Sequence, residues 1–243
     1  MNKLNKTMAV AALLLAAHVG NSQATPTTWQ AGDIIMGFQS ATAGKNLLID
    51  IGSGANIASF SSINAGADLV RAFGATWYTL ADLSWGAFSI ATDKHTLWGT
   101  VAAGNSPLAA RSVGALTTPL AKFNGMGNNY NSEISTQGYD VGVIQTLGTG
   151  TDVGTSTWTG NNPATTPFGA YSISIENGVS GRLDLYSVPN SGSATAIFSA
   201  ANGNALSVNS SGVIAVAPEP STYALMALGA LVLVIAYRRK VQA

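Results

Sequence analysis

Short segments in which apolar and polar residues alternate constrain most of this chain to β structure. They recur between Thr25 and Ala217 and are separated by clusters of Gly, Asn and Ser, which are typical of turns. Alternation with a period of two places successive side chains on opposite faces of a sheet. The predicted strands are Asp33–Gln39, Asn46–Ile51, Ser84–Thr92, His95–Val101, Tyr139–Leu147, Ala170–Glu176, Arg182–Val188, Ala205–Asn209 and Gly212–Val216.

Helical segments are few in the same region. The two predicted helices are Ala67–Phe73 and Pro119–Phe123 with its neighbours. No long proline or charge run divides residues 25–217, so we expect one domain there. The pattern predicts a mainly β fold, a single β-sandwich of jelly-roll type with one or two short helices.

The low charge of the chain limits its partners and its chemistry. Charged residues are 9% of the 243 residues, against about a quarter in an average soluble domain. Residues 25–217 contain six Lys or Arg and ten Asp or Glu residues, a net charge of −4. No basic surface for a phosphate backbone is expected, so nucleic acid is not a predicted partner. Because there is no cysteine, disulfides, thiolate nucleophiles and Cys-based zinc sites are excluded.

The first 24 residues predict a cleaved signal peptide with its own helix. Lys3 and Lys6 precede the apolar run Met8–Ala17, which is too short to span a membrane comfortably. The small residues Ser22 and Ala24 suit the pocket of a signal peptidase, so cleavage is expected after Ala24. An amphipathic helix of a cytosolic domain is disfavoured because the run is apolar on every face.

An uncharged segment near the other end predicts a transmembrane helix. Its 17 residues, Ser221–Tyr237, would form about 26 Å of helix, close to the roughly 30 Å hydrocarbon core of a bilayer. The basic residues Arg238, Arg239 and Lys240 follow and should remain on the cytoplasmic side, so the domain before the helix faces outward. A buried core helix is the alternative, but three adjacent cations at its end favour the membrane.

Pro218-Glu219-Pro220 directly precedes this helix. Its two prolines lack an N–H and favour an extended backbone, which a processing enzyme can bind. The order of this motif, a short apolar helix and a basic patch resembles the PEP-CTERM sorting signal of Gram-negative bacteria over Val216–Lys240. The resemblance implies processing at or near the motif by an exosortase, a membrane-embedded transpeptidase-like protease. It also implies a surface or matrix protein; an ordinary single-pass anchor is the alternative.

The segment AYSISIENGVSGRLDLYSV predicts a β-hairpin. A five-residue loop at Asn177–Gly181 would pair Ile175 with Leu183 and Glu176 with Arg182, so that apolar residues match across the strands. A two-residue Asn-Gly turn would set an isoleucine against Arg182, so the longer loop is favoured.

A second hairpin is predicted in LSWGAFSIATDKHTLWGTV, with its turn at Asp93-Lys94. One predicted face of this hairpin carries Phe88, Ile90, Leu97 and Val101. The other face carries Trp85, Ala87, Ser89, Thr96, Trp98 and Thr100. Trp85 and Trp98 support two interpretations. Exposed, they would form a platform for stacking sugar rings; buried, they would belong to a second apolar layer of a sheet covered on both faces. Large aromatic residues are more often buried, so burial is favoured.

No group of residues indicates a reaction. His95 is the one histidine in residues 25–217. The sequence contains no G-x-S-x-G motif that would indicate a catalytic triad, and a zinc site would need further His or Cys ligands. Glu133 and Glu176 are candidates for a glycosidase pair, with Asp50 or Asp140 as alternatives. Any chain of this size contains two carboxylates, so their presence is very weak evidence for catalysis. We therefore expect no catalytic, cofactor-binding or metal-binding residues.

Together these patterns predict a signal peptide at residues 1–24, a β-rich domain at 25–217 and a sorting signal at 218–243. The protein is expected to cross the inner membrane, to be anchored transiently by its carboxyl-terminal helix, and then to be processed. Its expected destination is the cell surface or the exopolysaccharide matrix of a biofilm, where it would act without catalysis and without a cofactor. The alternatives are a carbohydrate-binding module that uses Trp85 and Trp98, and a secreted hydrolase.

Overall fold

Strands dominate the part of the chain that the structure, a computed structural model, describes. The described residues are 28–103, 110, 112–137, 140–146, 176–177, 182–199, 201, 204–218, 229 and 237. The strands are β1 Asp33–Ser40, β2 Lys45–Ser53, β3 Ser62–Asn64, β4 Ser84–Ile90, β5 Thr96–Ala102, β6 Gly142–Thr146, β7 Glu176–Asn177, β8 Arg182–Pro189, β9 Thr195–Phe198, β10 Asn204–Val208 and β11 Val213–Pro218. The helices are α1 Gly66–Phe73 and α2 Thr117–Gln137, with 3₁₀ turns at Gly54–Ser59, Trp77–Thr79 and Gly114–Leu116.

Hydrogen bonds join these strands into one curled antiparallel sheet. Its order is β3-β11-β10-β8-β5-β4-β1-β2-β6, with β7 paired to β4 and β9 paired to β8. Although β3 and β6 stand at opposite ends of this order, Ile63 of β3 and Ile144 of β6 belong to one buried cluster, so the sheet curls around it. The predicted mainly β class is confirmed, and the jelly-roll type of sandwich stays a prediction.

The buried cluster inside the curl, called the first core here, takes side chains from nearly every strand and from α1. Its members include Met36, Phe38, Ile49, Trp85, Trp98, Leu185, Leu206, Ile214, Leu69 and Phe73. Alternate residues of the strands supply this face, as the period of two requires. Burial of this apolar area is the main term that favours the folded chain.

A buried carboxylate attaches α1 to the start of β6. Asp68 of α1 has no exposed side-chain surface, and its Oδ2 accepts the backbone N–H groups of Val141 at 2.8 Å and Gly142 at 3.0 Å. Its Oδ1 accepts Nη1 of Arg71 at 2.9 Å. A buried charge is tolerated when it is paired and hydrogen-bonded, so these contacts fix the position of α1 on the sheet.

The start of α1 also contacts the turn between β10 and β11. The N–H of Ala65, which precedes the helix, donates to the carbonyl oxygen of Gly212 at 2.9 Å. The backbones of Gly66 and Gly212 approach so closely that a Cβ on either glycine would overlap the other element. Gly212 also has φ +80°, a conformation that glycine adopts without strain. Thus α1 is bound both to β6 and to the β10–β11 turn.

Helix α2 covers the opposite face of the sheet, where a second core forms. Its members are Trp29, Ile35, Leu48, Phe88, Ile90, Leu97, Leu116, Leu120, Phe123, Met126, Tyr130, Val143 and Val188. Asn131 holds Trp29 against α2, because its Oδ1 accepts the Trp29 N–H at 2.7 Å and its Nδ2 donates to the Trp29 carbonyl at 2.9 Å. Gly127 permits this approach, since a Cβ there would overlap the indole ring.

Most predicted elements are found close to their predicted bounds. Two short strands, β3 and β9, were not predicted, and α2 is far longer than the predicted Pro119–Phe123. Of the predicted strand Ala170–Glu176, only Glu176 lies within the described residues. The segment Thr25–Thr27 at the start of the predicted domain also lies outside them.

The two predicted hairpins have opposite outcomes. The hairpin at Asp93-Lys94 is confirmed, with Ile90 opposite Leu97. Phe88, Ile90 and Leu97 of one predicted face lie in the second core, and Trp85, Ala87 and Trp98 of the other lie in the first core. The hairpin across residues 177–181 is wrong, because Glu176 pairs with Trp85 of β4. Both edges of Leu183 are occupied by distant strands, which supply Ala102 and Leu206. Matching apolar residues between neighbouring segments of the sequence cannot identify strand partners that are distant along the chain.

Replacing Asp68 with Asn tests the attachment of α1. The amide keeps the shape but loses the charge that accepts the backbone N–H groups and pairs with Arg71. We expect Asp68→Asn to lower the free energy of unfolding by about 3 kcal/mol, measured by urea unfolding followed by circular dichroism. Asp93→Asn, in an exposed turn, is the matched control and should change it by less than about 0.5 kcal/mol. Equal stability of the two variants would contradict this role.

Replacing Gly127 with Ala tests the contact between α2 and Trp29. Alanine favours helix by about 1 kcal/mol over glycine, but the added Cβ would overlap the Trp29 ring. We expect the overlap to dominate and to destabilise the protein by about 1–3 kcal/mol in the same unfolding assay. At Gly114 a Cβ meets no atom within 4 Å, so Gly114→Ala should be close to neutral. A stabilised Gly127→Ala protein would show that α2 does not pack as described.

Candidate functional sites at the last strand and beside helix α1

Strand β11 leads directly into the predicted processing motif. Its last residue, Pro218, pairs with Asn204 of β10, whereas the ladder with β3 ends at Ala215, opposite Ser62. Proline has no N–H to donate to a ladder, which suits the end of a strand better than its middle. The first residue of the Pro-Glu-Pro motif is therefore part of the sheet, and Glu219 and Pro220 lie outside the described residues.

Two side chains of β11 ahead of the motif contribute to the first core. Ile214 is fully buried in it, and Val216 is partly buried against it. A chain cut after Pro218 would thus keep every side chain of the two described cores.

The other predicted targeting residues are Ser22 and Ala24 of the signal peptide and Arg238, Arg239 and Lys240 of the basic tail, and all five lie outside the described residues. Within the predicted membrane helix, the structure describes Gly229 and Tyr237, both in helical conformation. A search of the described residues finds no helix long and apolar enough to cross a membrane. The signal peptide and the transmembrane helix stay predictions.

The two tryptophans of the predicted sugar platform are buried. Trp85 is 1% exposed and stacks on Phe38, with ring centroids 6.0 Å apart and an interplanar angle of 16°. Trp98 is 9% exposed, and its ring lies so close to Gly54 that a Cβ there would be 2.6 Å from Cδ2. Neither ring offers a free face to a sugar, so the platform interpretation is corrected: both belong to the first core.

Several carboxylates accept hydrogen bonds from neighbouring backbone or hydroxyl groups. Asp184, 1% exposed, accepts the hydroxyl of Ser199 at 3.2 Å. Asp82 accepts the N–H of Thr42 at 2.8 Å, and this bond holds the pKa of its carboxyl below the usual value. In Asp33, partial burial raises the pKa of the carboxyl. These side chains fix turns and strand ends.

The residues considered for catalysis are also placed separately. Glu133 lies on α2, whereas Glu176 lies on β7 and pairs with Trp85 of β4. His95 is exposed in the β4–β5 turn, where its N–H donates to Asp93 Oδ1 at 2.8 Å. Within the described ranges, no group of three His, Cys, Asp or Glu residues could hold a metal ion.

A groove that sequence reasoning missed lies beside α1. It has a volume of about 520 Å³, and its lining includes Asn64, Val70, Tyr78, Ser210 and Ser211. Val70 is 45% exposed and Tyr78 is 41% exposed, and in residues 28–218 these are the large hydrophobic side chains described as exposed. The adjacent aromatic pair Trp77-Tyr78 in the sequence was the available signal. The sequence around this pair does not indicate which of the two rings is exposed to solvent.

The comparison with protein families addresses the carboxyl-terminal segment. Residues 216–240 match the family described as the PEP-CTERM protein-sorting motif. No curated protein and no solved structure matches the chain. The predicted resemblance over Val216–Lys240 is therefore confirmed: this chain carries the PEP-CTERM sorting motif, which implies a secreted protein with a carboxyl-terminal signal for exosortase processing.

Proposed function

We propose that this protein is a non-catalytic structural component of the cell surface or of an exopolysaccharide matrix. In this proposal residues 1–24 direct export through the inner membrane, and residues 221–237 anchor the chain transiently. An exosortase-type enzyme then cuts at or near Pro218-Glu219-Pro220, and the domain of residues 25–217 remains outside the cell, where it contributes to a biofilm.

The position of Pro218 is the observation that carries the proposal. Because this proline is the last residue of β11, cleavage after it would leave the described side chains of both cores in the released domain. A cut inside β11 would instead break its ladder with β10, which extends from Val208 opposite Ile214 to Asn204 opposite Pro218. Cleavage at the proposed processing site is therefore compatible with the described fold.

The low charge and the use of the carboxylates support a structural role. Only 9% of the residues are charged, so hydroxyl and amide groups provide much of the polar surface. Asp68 and Asp184 are buried and engaged in hydrogen bonds that hold the fold together. Such carboxylates are poorly placed to act as a general acid or base on a bound substrate, which must lie within hydrogen-bond reach.

Carbohydrate binding is a second candidate function, which the exposed ring of Tyr78 favours. An exposed aromatic residue next to hydroxyl and amide groups is suited to sugar rings, which present an apolar face and a polar rim. Trp85 and Trp98 no longer support this function because both are buried.

Removing the motif tests the proposed sorting. In the native host, the triple variant Pro218→Ala, Glu219→Ala, Pro220→Ala should accumulate in the membrane fraction, because the enzyme would lose the extended segment that it recognises. The wild-type protein should be recovered outside the cells. The measurement is immunoblotting of membrane and extracellular fractions, combined with detection of the carboxyl-terminal peptide by mass spectrometry.

Pro189→Ala is the matched control, since Pro189 also ends a strand, β8, but lies outside the motif. This variant should be processed and released like the wild type. Equal release of the triple variant and the wild type would overturn the proposal that the motif directs sorting.

A further inference from the structure

The groove beside α1 has one wall built around an aromatic ring. Trp77, 2% exposed, contacts Tyr78 edge to face, with ring centroids 5.9 Å apart and an interplanar angle of 85°. The 3₁₀ turn that carries both residues is closed by the Leu80 N–H, which donates to the carbonyl of Trp77 at 3.1 Å. The exposed ring of Tyr78 thus lies against a buried aromatic neighbour.

The opposite wall is the turn between β10 and β11. Oδ1 of Asn209 accepts the N–H groups of Ser211 and Val213, each at 3.0 Å, and the Gly212 N–H donates to the Asn209 carbonyl at 2.9 Å. Beside this turn, Asn64 is paired with Val213, and its Oδ1 accepts the Gly66 N–H at 3.0 Å. Both walls are preorganised, so a ligand would lose little affinity to ordering of the protein.

The chemistry of the lining favours a neutral ligand rich in hydroxyl groups. The lining combines the Tyr78 ring and Val70 with the polar side chains of Asn64, Ser210 and Ser211, and none of the described lining residues is charged. Arg71 lies on the same helix but pairs with the buried Asp68 at 2.9 Å. An anionic ligand would need cations that this lining does not supply.

The position of the groove separates it from the anchored end of the domain. Ser210 and Ser211 directly precede β11, whereas the predicted anchor follows Pro218 at its other end. The six residues of β11 cover about 17 Å at the usual rise of a strand. The groove and the first residue of the sorting motif are therefore separated by the length of β11.

We infer that this groove binds a neutral polysaccharide, with one sugar ring stacked on Tyr78 and its hydroxyl groups bonded to the Asn and Ser side chains of the lining. Val70 contacts the apolar face of a neighbouring sugar unit. This inference rests on the proposed location of the domain outside the cell, and it names the contact by which the domain would associate with a matrix.

Affinity electrophoresis tests the inference on the full chain, kept in a detergent that has no sugar headgroup. The probes are three neutral polysaccharides, dextran, hydroxyethyl cellulose and galactomannan, with dextran sulfate as the anionic comparison. We expect retardation on at least one neutral polymer. Tyr78→Ala should weaken the apparent affinity at least about tenfold, which corresponds to about 1.4 kcal/mol, while Tyr78→Phe keeps the ring and should retain most of it.

The control variants distinguish sugar binding in the groove from unfolding and from a change of charge elsewhere. Circular dichroism should show that Tyr78→Ala remains folded, because 41% of this side chain is exposed. If that variant unfolds, Val70→Asp serves instead, since it places a charge in the groove at an exposed position and should abolish retardation. Asp93→Asn removes a charge from an exposed turn outside the lining and should not alter retardation on the neutral polymer.

Three results would overturn the inference. These are no retardation on any of the three neutral polymers, retardation that Tyr78→Ala leaves unchanged, and preferential binding to dextran sulfate. A dimer in light scattering, or binding to phosphatidylglycerol vesicles, that Tyr78→Ala abolishes would assign the groove to a second copy or to lipid and would equally refute it. None of these results affects sorting, which the motif variant tests separately.

Discussion

The buried carboxylate of Asp68 is the interaction on which the curled sheet depends. It binds the backbone at the start of β6, at one end of the strand order, while Ala65 just before the same helix binds the turn between β10 and β11, close to the other end. A sheet with an apolar face must cover it. Here the sheet curls over its own first core, and α1 connects the two ends of the curl.

This arrangement places the two proposed functional sites at opposite ends of a single strand. The turn before β11 packs on α1 and forms part of the groove that contains Tyr78. The opposite end of β11 is Pro218, where the sorting motif begins. A domain joined to a membrane at one end and open at the other suits a protein that is first anchored and then left in a matrix. The same strand thus relates the processing site to the proposed binding site.

Much of the fold could be predicted because, as in the β4–β5 hairpin, the alternation of side chains along a strand indicates which residues share a face of the sheet. The prediction failed where distant contacts dominate. Helix α2 contains Gly127 and several Asn residues of low helix propensity, yet it forms because Phe123 and Tyr130 pack on the sheet. The sorting motif was predictable as a linear pattern. Tertiary packing buries Trp85 and leaves Tyr78 exposed, and no local pattern of the sequence indicates this.

The central claim is that the chain is processed where its last strand ends. The most direct test is the intact mass, with the carboxyl-terminal peptide, of the protein recovered from outside its native cells. The account predicts a chain that begins near Thr25 and ends near Pro218-Glu219-Pro220. A recovered chain that still contains Arg238–Ala243, or that ends before Ile214 inside β11, would contradict it.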